Sequence, residues 1–361
     1  MTTFTESVIE QAAIDWLKAL GYEYALGPEI APDGSRPERE SYESGLLPGR
    51  VKGALARLNP GLPATILEEA YRQIANLNQP GLLRCNHAFH RMAIDGVAVE
   101  YRGSDGRVKS ARVRVFDFDE PENNDWLAVN QFTVEAAYHN ARVNRRADLV
   151  IFVNGLPLAV MELKNAAVES ATMWDAFNQL QTYKEQIPAL FTYNEALVIS
   201  DGLNARIGSV TANKEWFLPW KTIEGEAVAS PALTQLEVLL RGVFDKRRLL
   251  ALVRFFIVFE HQRGAPAVKK MAGYHQFHAV NAAVAETVRA ASKARAAHEL
   301  RGQYMAGRDK KGKPGDRRIG VVWHTQGAGK SLTMIFYAGR LAVHPAMENP
   351  TIVVITDRID L

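Results

Sequence analysis

The stretch from Ala147 to Lys164 constrains this chain more than any other. Two apolar runs, Leu149–Val153 and Leu158–Met161, flank the turn signal Asn154-Gly155-Leu156-Pro157. Runs this short and this well bounded read as two buried strands of a hairpin. Three charges interrupt them: Asp148, Glu162 and Lys164. Glu162 and Lys164 are two residues apart, so they share a strand face. Register decides where Asp148 goes. A two-residue loop at Asn154-Gly155 pairs Asp148 with Met161 and sends Glu162 to the opposite face. A loop centred on Gly155 with an odd number of residues pairs Asp148 with Glu162. A three-residue loop with Gly155 left-handed is the expected way to bring all three charges together.

Two carboxylates and a lysine so arranged suit metal-assisted hydrolysis of a phosphodiester. Asp148 and Glu162 are the expected oxygen ligands of Mg²⁺, which polarises the phosphate and activates water. Lys164 would orient the water or neutralise developing charge. A strand-end salt bridge is the plainer alternative, because the pattern is short. Downstream, Gln179 and Tyr183 are four apart and lie on one helical face. From there they can reach a DNA phosphate or steady the Lys164 side. On the first helix, Glu6 and Glu10 sit at or beside an apolar face where a solvated carboxylate is not normally placed.

The rest of the chain divides by period. An amphipathic helix is expected over residues 5–20 (Ile9, Ala13, Trp16, Leu17, Leu20), a loop over 27–50 and a helix over 63–77. From about 83 to 165 the period is two, with strands expected around Val97–Tyr101, Val113–Val115, Trp126–Glu135 and Ala147–Lys164. Residues 171–187 read as a helix and Ala196–Ser200 as a buried strand. Three helices follow, around Leu236–Val243, Leu249–Phe256 and Ala279–Glu299, then a Gly-rich basic loop over 302–318. The expected organisation is an α/β domain over 1–225, a helical connector over 226–300 and a further domain from 301. At 47% hydrophobic and 23% charged, the 361 residues have ordinary globular composition. No run approaches the roughly 20 apolar residues of a spanning helix, and no signal-peptide pattern opens the chain. One cysteine, Cys85, excludes an internal disulfide and a Cys-rich zinc site. A cytoplasmic protein without membrane partners is expected. The net charge of +3 permits nucleic-acid binding without demanding it.

A second motif lies at Val321-Val322-Trp323-His324-Thr325-Gln326-Gly327-Ala328-Gly329-Lys330-Ser331. Apolar run, glycine turn and helix pattern make a phosphate-binding loop for ATP. Thr325 to Gly329 would wrap the phosphates, Lys330 contact the β- and γ-phosphates, and Ser331 ligate Mg²⁺. Arg318–Trp323 and Thr351–Thr356 read as strands flanking a helix over 330–343, a βαβ pattern. His324 stands where the general pattern has its first glycine. Gln276, in Tyr274-His275-Gln276-Phe277, is a candidate for reading adenine. No strand bearing the second, acidic nucleotide motif is present, so these residues alone are expected not to hydrolyse ATP productively. A half-built parallel sheet would expose Ile352–Ile355 on an open edge.

The Asp148…Glu162-x-Lys164 pattern resembles the PD-(D/E)xK nuclease core, with Ala147 where that signature often has proline. Gln179-Leu180-Gln181-Thr182-Tyr183 matches the QxxxY element of its RecB-like branch, which implies an acidic residue on the first helix, Glu10 or Glu6. The glycine loop resembles motif I of superfamily-2 helicases, with their RecA-like motor fold, and Thr356-Asp357-Arg358 their motif Ia. In this order, with Met161-Glu162-Leu163-Lys164-Asn165 and Trp323-His324-Thr325-Gln326-Gly327, the chain resembles the motor and cleavage (R) subunit of type I restriction–modification enzymes from about residue 5 to 361. That resemblance implies an ATP-dependent endonuclease acting on double-stranded DNA, in a prokaryotic cytoplasm, with methyltransferase (modification) and specificity subunits as partners. Another helicase–nuclease fusion, of repair or type III-like kind, is the alternative. A non-catalytic DNA-binding module is disfavoured by the intact Asp148, Glu162 and Lys164.

Overall fold

A computed structural model describes residues 6–102, 106–165, 172–261, 267–291, 315 and 319–355. Its centre is a six-stranded mixed sheet in the order β1-β4-β5-β6-β7-β8. The strands are β1 (Glu23–Leu26), β4 (Trp126–Tyr138), β5 (Ala141–Val153), β6 (Leu156–Leu163), β7 (Ala196–Ser200) and β8 (Ala205–Gly208). β1 runs parallel to β4 and β6 parallel to β7; the other neighbours are antiparallel. A separate hairpin joins β2 (Val97–Arg102) to β3 (Val108–Val113). A second joins β9 (Ile257–Glu260) to β10 (Val268–Met271).

Both faces of the sheet are covered. Helix α1 (Glu6–Ala19) packs Ile9, Ala13, Ile14 and Leu17 against one face, meeting Leu149, Ile151, Met161 and Val198. Helix α5 (Met173–Gln186) packs Ala176, Phe177, Leu180 and Tyr183 against the other, meeting Val150, Phe152, Val160 and Ile199. α5 is the crossover between the parallel strands β6 and β7, which such a pair requires. It starts in a capping box: Thr172 and Asp175 satisfy each other's backbone N–H groups.

Helices α2 (Pro48–Leu58), α3 (Ala64–Ala75) and α4 (Leu82–Asp95) precede the first hairpin. Residues 83–95 are therefore helical, where an extended pattern was expected. The buried face of α4 is Asn86, Phe89, His90 and Ala93, spaced three and four apart. Two of those four are polar, which hides the helical period from an apolar count. Val115 also lies beyond β3.

Three helices follow the sheet: α6 (Gln235–Val243), α7 (Lys246–Phe255) and α8 (Tyr274–Ala291). They share the core on the α1 side of the sheet, through Leu239, Leu252, Phe256 and Val280. α9 (Lys330–Ala342) joins the same core through Phe336 and Leu341. The expected strands around it do not form among the described residues. Val321, Trp323, Val353 and Ile355 are 91%, 87%, 76% and 89% exposed. With no neighbouring strand to receive their backbone groups, these runs gain nothing from pairing. The basic stretch over 302–318 and Thr356–Leu361 lie outside the described residues, apart from Gly315.

A buried ion pair ties β10 to α4 and to the residues just before β7. Lys269 of β10 is 1% exposed, and its Nζ donates to Glu195 Oε2 at 2.5 Å, to Asn86 Oδ1 at 2.9 Å and to the Asn194 carbonyl at 2.7 Å. His90 Nδ1 lies 3.0 Å from the same Glu195. Burial alone would raise the Glu195 carboxyl, but Lys269 and His90 hold it below its usual range. Removing one member leaves a buried charge without its partner, so Lys269→Met is expected to cost about 3–5 kcal/mol. The double variant Lys269→Met/Glu195→Gln should recover much of that loss. Urea denaturation of the two variants checks it; equal destabilisation would contradict the pairing.

Candidate active site

The convergence of Asp148 with Glu162 is built by a route other than the expected one. The β5–β6 turn has two residues, not three: Val153 pairs with Leu156, leaving Asn154 and Gly155 at φ +53° and +77°. That turn alone would pair Asp148 with Met161. A bulge then intervenes. Phe152 pairs with Pro157 but Ile151 pairs with Ala159, so Leu158 is the extra residue. Pro157 has no N–H to give to a ladder, which suits a bulge. The register beyond is shifted by one, Leu149 opposite Met161, and one step further the Asp148 and Glu162 side chains come within hydrogen-bonding reach of each other.

On the other side of β5 the ladder also breaks. Asn130 pairs with Leu149 and Phe132 with Ala147, leaving Gln131 and Asp148 between them without ladder pairing. Gln131 has φ +58°, a left-handed conformation that a β-strand residue seldom adopts. Val129 and Phe132, and likewise Val150 and Ala147, all face the α5 side, so the alternation of both strands reverses at this step. The reversal frees Asp148 to turn its carboxylate onto the end of β6, where Oδ2 accepts the Leu163 N–H at 2.7 Å.

Glu162 is fully buried, and Lys164 Nζ donates to its Oε1 at 2.9 Å. Its second oxygen, Oε2, is buried with no hydrogen-bond partner. Burial pushes the Glu162 carboxyl up to about 9, reinforced by the charge of Asp148. Burial likewise pushes Asp148 up to about 6, against the pull of the Leu163 N–H and Lys164. Two hard oxygen donors that resist ionisation side by side, one with an orphaned oxygen, fit a divalent cation. Among the described residues no group of three or more His, Cys, Asp or Glu side chains is arranged as a ready-made metal cage.

The helical pair lies alongside. Gln179 Nε2 donates to Tyr183 Oη at 2.6 Å, and Tyr183 Oη donates to the Arg146 carbonyl at 3.1 Å, two residues before Asp148. Burial, with the charge of Glu162, pushes the Tyr183 hydroxyl up to about 12, so it remains a donor. Glu10 is also buried. Both its oxygens accept from Gln131 Nε2 at 2.9 Å, and its charge acts on Asp148. Glu10 thus reaches the site through Gln131. Nothing is described of the Glu6 side chain.

The glycine loop is a separate site. Gly327 and Gly329 are at φ +82° and +73°, and Gly329 caps α9. Lys330 is exposed, and its Nζ donates to the His324 and Thr325 carbonyls at 3.2 and 3.3 Å. Thr325 and Gln326 are exposed; Ala328 and Ser331 are partly covered. Gln276 is buried against the loop: Nε2 donates to the Gly329 carbonyl at 3.1 Å, and Oε1 accepts the Gly273 N–H at 2.9 Å. Both ends of its amide are engaged within the protein. A Cβ at Gly329 would stand 2.7 Å from that same Nε2, and the left-handed backbone there favours glycine in any case.

Residues 3–216 match the family described as the type I restriction enzyme R protein N terminus. The chain belongs to that family. Residues 275–361, which hold Gln276 and the glycine loop, match the SWI2/SNF2 ATPase family. Among curated relatives, the type I restriction enzyme HindI endonuclease subunit of Haemophilus influenzae is 38% identical over 99% of this chain and 32% of its own length. A Methanocaldococcus jannaschii protein assigned to the same kind of subunit, MjaIXP, is 35% identical over 98% of this chain and 33% of its own. The SauCOLORF180P endonuclease subunit of Staphylococcus aureus is 25% identical over 58% of this chain and 18% of its own. The chain therefore spans about a third of the length of the first two.

Sequence reasoning missed Gln131 in this R-protein fold. An isolated glutamine inside a strand pattern carries no mark, and its positive φ is visible only in the folded backbone. No helix among the described residues is long and apolar enough to cross a membrane.

Proposed function

We propose that this chain is the nuclease portion, and the opening of the motor portion, of a type I restriction enzyme R subunit. Its division would fall as the sequence suggests: a PD-(D/E)xK nuclease over 1–225, a connector over 226–300 and the start of a RecA-like motor from 301. The observation that carries the nuclease reading is the opposed pair Asp148 and Glu162, with a buried unpartnered oxygen on Glu162. Those two side chains would hold Mg²⁺, which supplies the Lewis acidity that phosphodiester hydrolysis needs. Lys164 neutralises charge at Glu162 and stands ready to stabilise charge developing on the phosphate. Tyr183, held by Gln179, anchors α5 to β5 beside Asp148. Glu10 fixes Gln131 and with it the break in β4.

At the glycine loop, Lys330 would exchange its two carbonyl contacts for the β- and γ-phosphates of ATP, and Ser331 would help to hold Mg²⁺. Gln276 gives up one of its internal hydrogen bonds if it reads adenine. The complete subunit would couple ATP-driven movement along double-stranded DNA to cleavage, with modification and specificity subunits as partners in a prokaryotic cytoplasm.

The test is cleavage of plasmid DNA by the assembled enzyme with ATP. Cleavage is expected with Mg²⁺ and should vanish with EDTA, returning when excess Mg²⁺ is restored. Cleavage that survives EDTA would overturn the metal-assisted reading.

A further inference from the structure

Hydrolysis at Asp148 and Glu162 brings a polyanion against two carboxylates. Lys164 is already engaged with Glu162, so the substrate must be drawn in by cations not spent on the chain's own acids. The ribbon formed by β4 and β5 beyond Gln131 carries three arginines, and two have internal partners. Arg142 Nε donates to Glu135 at 2.7 Å, and Arg145 Nε donates to Gln186 at 2.5 Å. Arg146 is exposed, and its side chain makes no hydrogen bond or ion pair among the described residues. Its backbone is nonetheless fixed, because its carbonyl receives the Tyr183 hydroxyl. It stands two positions before Asp148 on the same strand, roughly 7 Å away.

A second group borders the first turn of α5. The Arg206 guanidinium and the Lys214 ammonium lie 5.8 and 5.6 Å from the centre of the Trp174 ring. Arg206 Nε is buried without a partner, and Nη1 has only a long contact, 3.3 Å, to the Phe217 carbonyl. Lys214 is exposed. Lys164 and Lys214 both help to hold the Asp175 carboxyl low, so both lie within electrostatic reach of the first turn of α5.

We propose that Arg146 on one side, and Arg206 with Lys214 around Trp174 on the other, hold the phosphate backbone of the DNA strand being cut. The proposal rests on the nuclease reading of Asp148 and Glu162. Arg146 serves as a fork for phosphate oxygens. The Trp174 ring keeps the Arg206 and Lys214 side chains extended by cation–π contact. These contacts are to phosphate, so they add affinity without sequence preference.

The experiment uses the complete subunit in its assembled enzyme, with saturating Mg²⁺ and ATP, and follows the cleavage rate of a linear duplex against salt. Arg146→Ala, and separately Arg206→Ala/Lys214→Ala, should lower the rate. Each should also make the plot of log rate against log salt shallower, by about one unit for every phosphate no longer neutralised. Arg146→Lys should restore most of the slope, and DNA-stimulated ATP hydrolysis should be unchanged. A lower rate with an unaltered slope would assign these residues a structural role and overturn the proposal. So would an equal loss of ATPase. The nuclease reading fails by a different result, cleavage retained in Glu162→Ala.

Discussion

Glu162→Ala is expected to abolish DNA cleavage and leave DNA-stimulated ATP hydrolysis by the complete subunit intact. The side chain is fully buried, faces Asp148 and holds Lys164 by a 2.9 Å bond. Its loss would remove one of the two carboxylates proposed to hold the metal and free the lysine at once. Removing one such stabilising group from an active site costs roughly 10²–10³ in rate, and here two functions fall together, so no cleavage above background is expected. Among the described residues, the glycine loop receives hydrogen bonds from Gln276 and His275 of α8. ATP turnover should therefore survive. Parallel cleavage and phosphate-release assays on one preparation check both halves. Lost ATPase would show that the two sites do not work separately.

Glu162→Gln is expected to stabilise the metal-free protein at alkaline pH and to flatten its dependence of stability on pH. The wild-type carboxyl, near 4.5 when unfolded, is pushed up to about 9 by burial in the fold. Between those values the folded protein holds a proton that the unfolded chain has released. The stability this proton contributes is fully present below about 4.5 and is lost as pH rises to about 9. Asp148 acts in the same sense up to about 6. Metal-free wild type should thus melt at progressively lower temperature from pH 5 to 9. A glutamine of the same shape carries no charge to bury and escapes most of that decline, a difference on the order of a few kcal/mol. Mg²⁺ should restore the wild type at high pH and do little for the variant. Melting curves with and without EDTA decide it; equal slopes in both proteins would remove Glu162 as the cause.

The residues of this site were more legible in the sequence than the geometry that joins them. Asp148, Glu162 and Lys164 are legible because charges inside apolar strands are costly and so stand out. Gln179 and Tyr183 are legible because helical spacing is rigid. The register was not, because it depends on where one extra residue is absorbed. The sequence offered the turn as the place; the fold puts it three residues later, at Leu158 beside Pro157. α4 escaped notice because Asn86 and His90 occupy its buried face, where they serve the Glu195–Lys269 ion pair. β10 was hidden for the same reason, since a buried Lys269 does not read as a strand interior. β1 and β8 are four residues each, too short for a period to register. The two apolar runs around α9 show the converse. Their β-type composition is plain, yet a strand exists only where another strand receives it.

The hairpin turn beneath the site sets a limit on how such a chain can diverge. Asn154 is 1% exposed, and its side chain bonds the Val115 carbonyl, Asn124, Arg57 and the Asp125 N–H. A Cβ at Gly155 would meet the Leu47 carbonyl at 2.7 Å. An inserted residue there has nowhere to go, and it would also slip Glu162 away from Asp148. The tip of the neighbouring hairpin, His139 and Asn140, is exposed and carries no such burden. Length variation among descendants of this fold belongs at that tip. The interval from Asp148 to Glu162 should stay fixed even where the residues inside it drift.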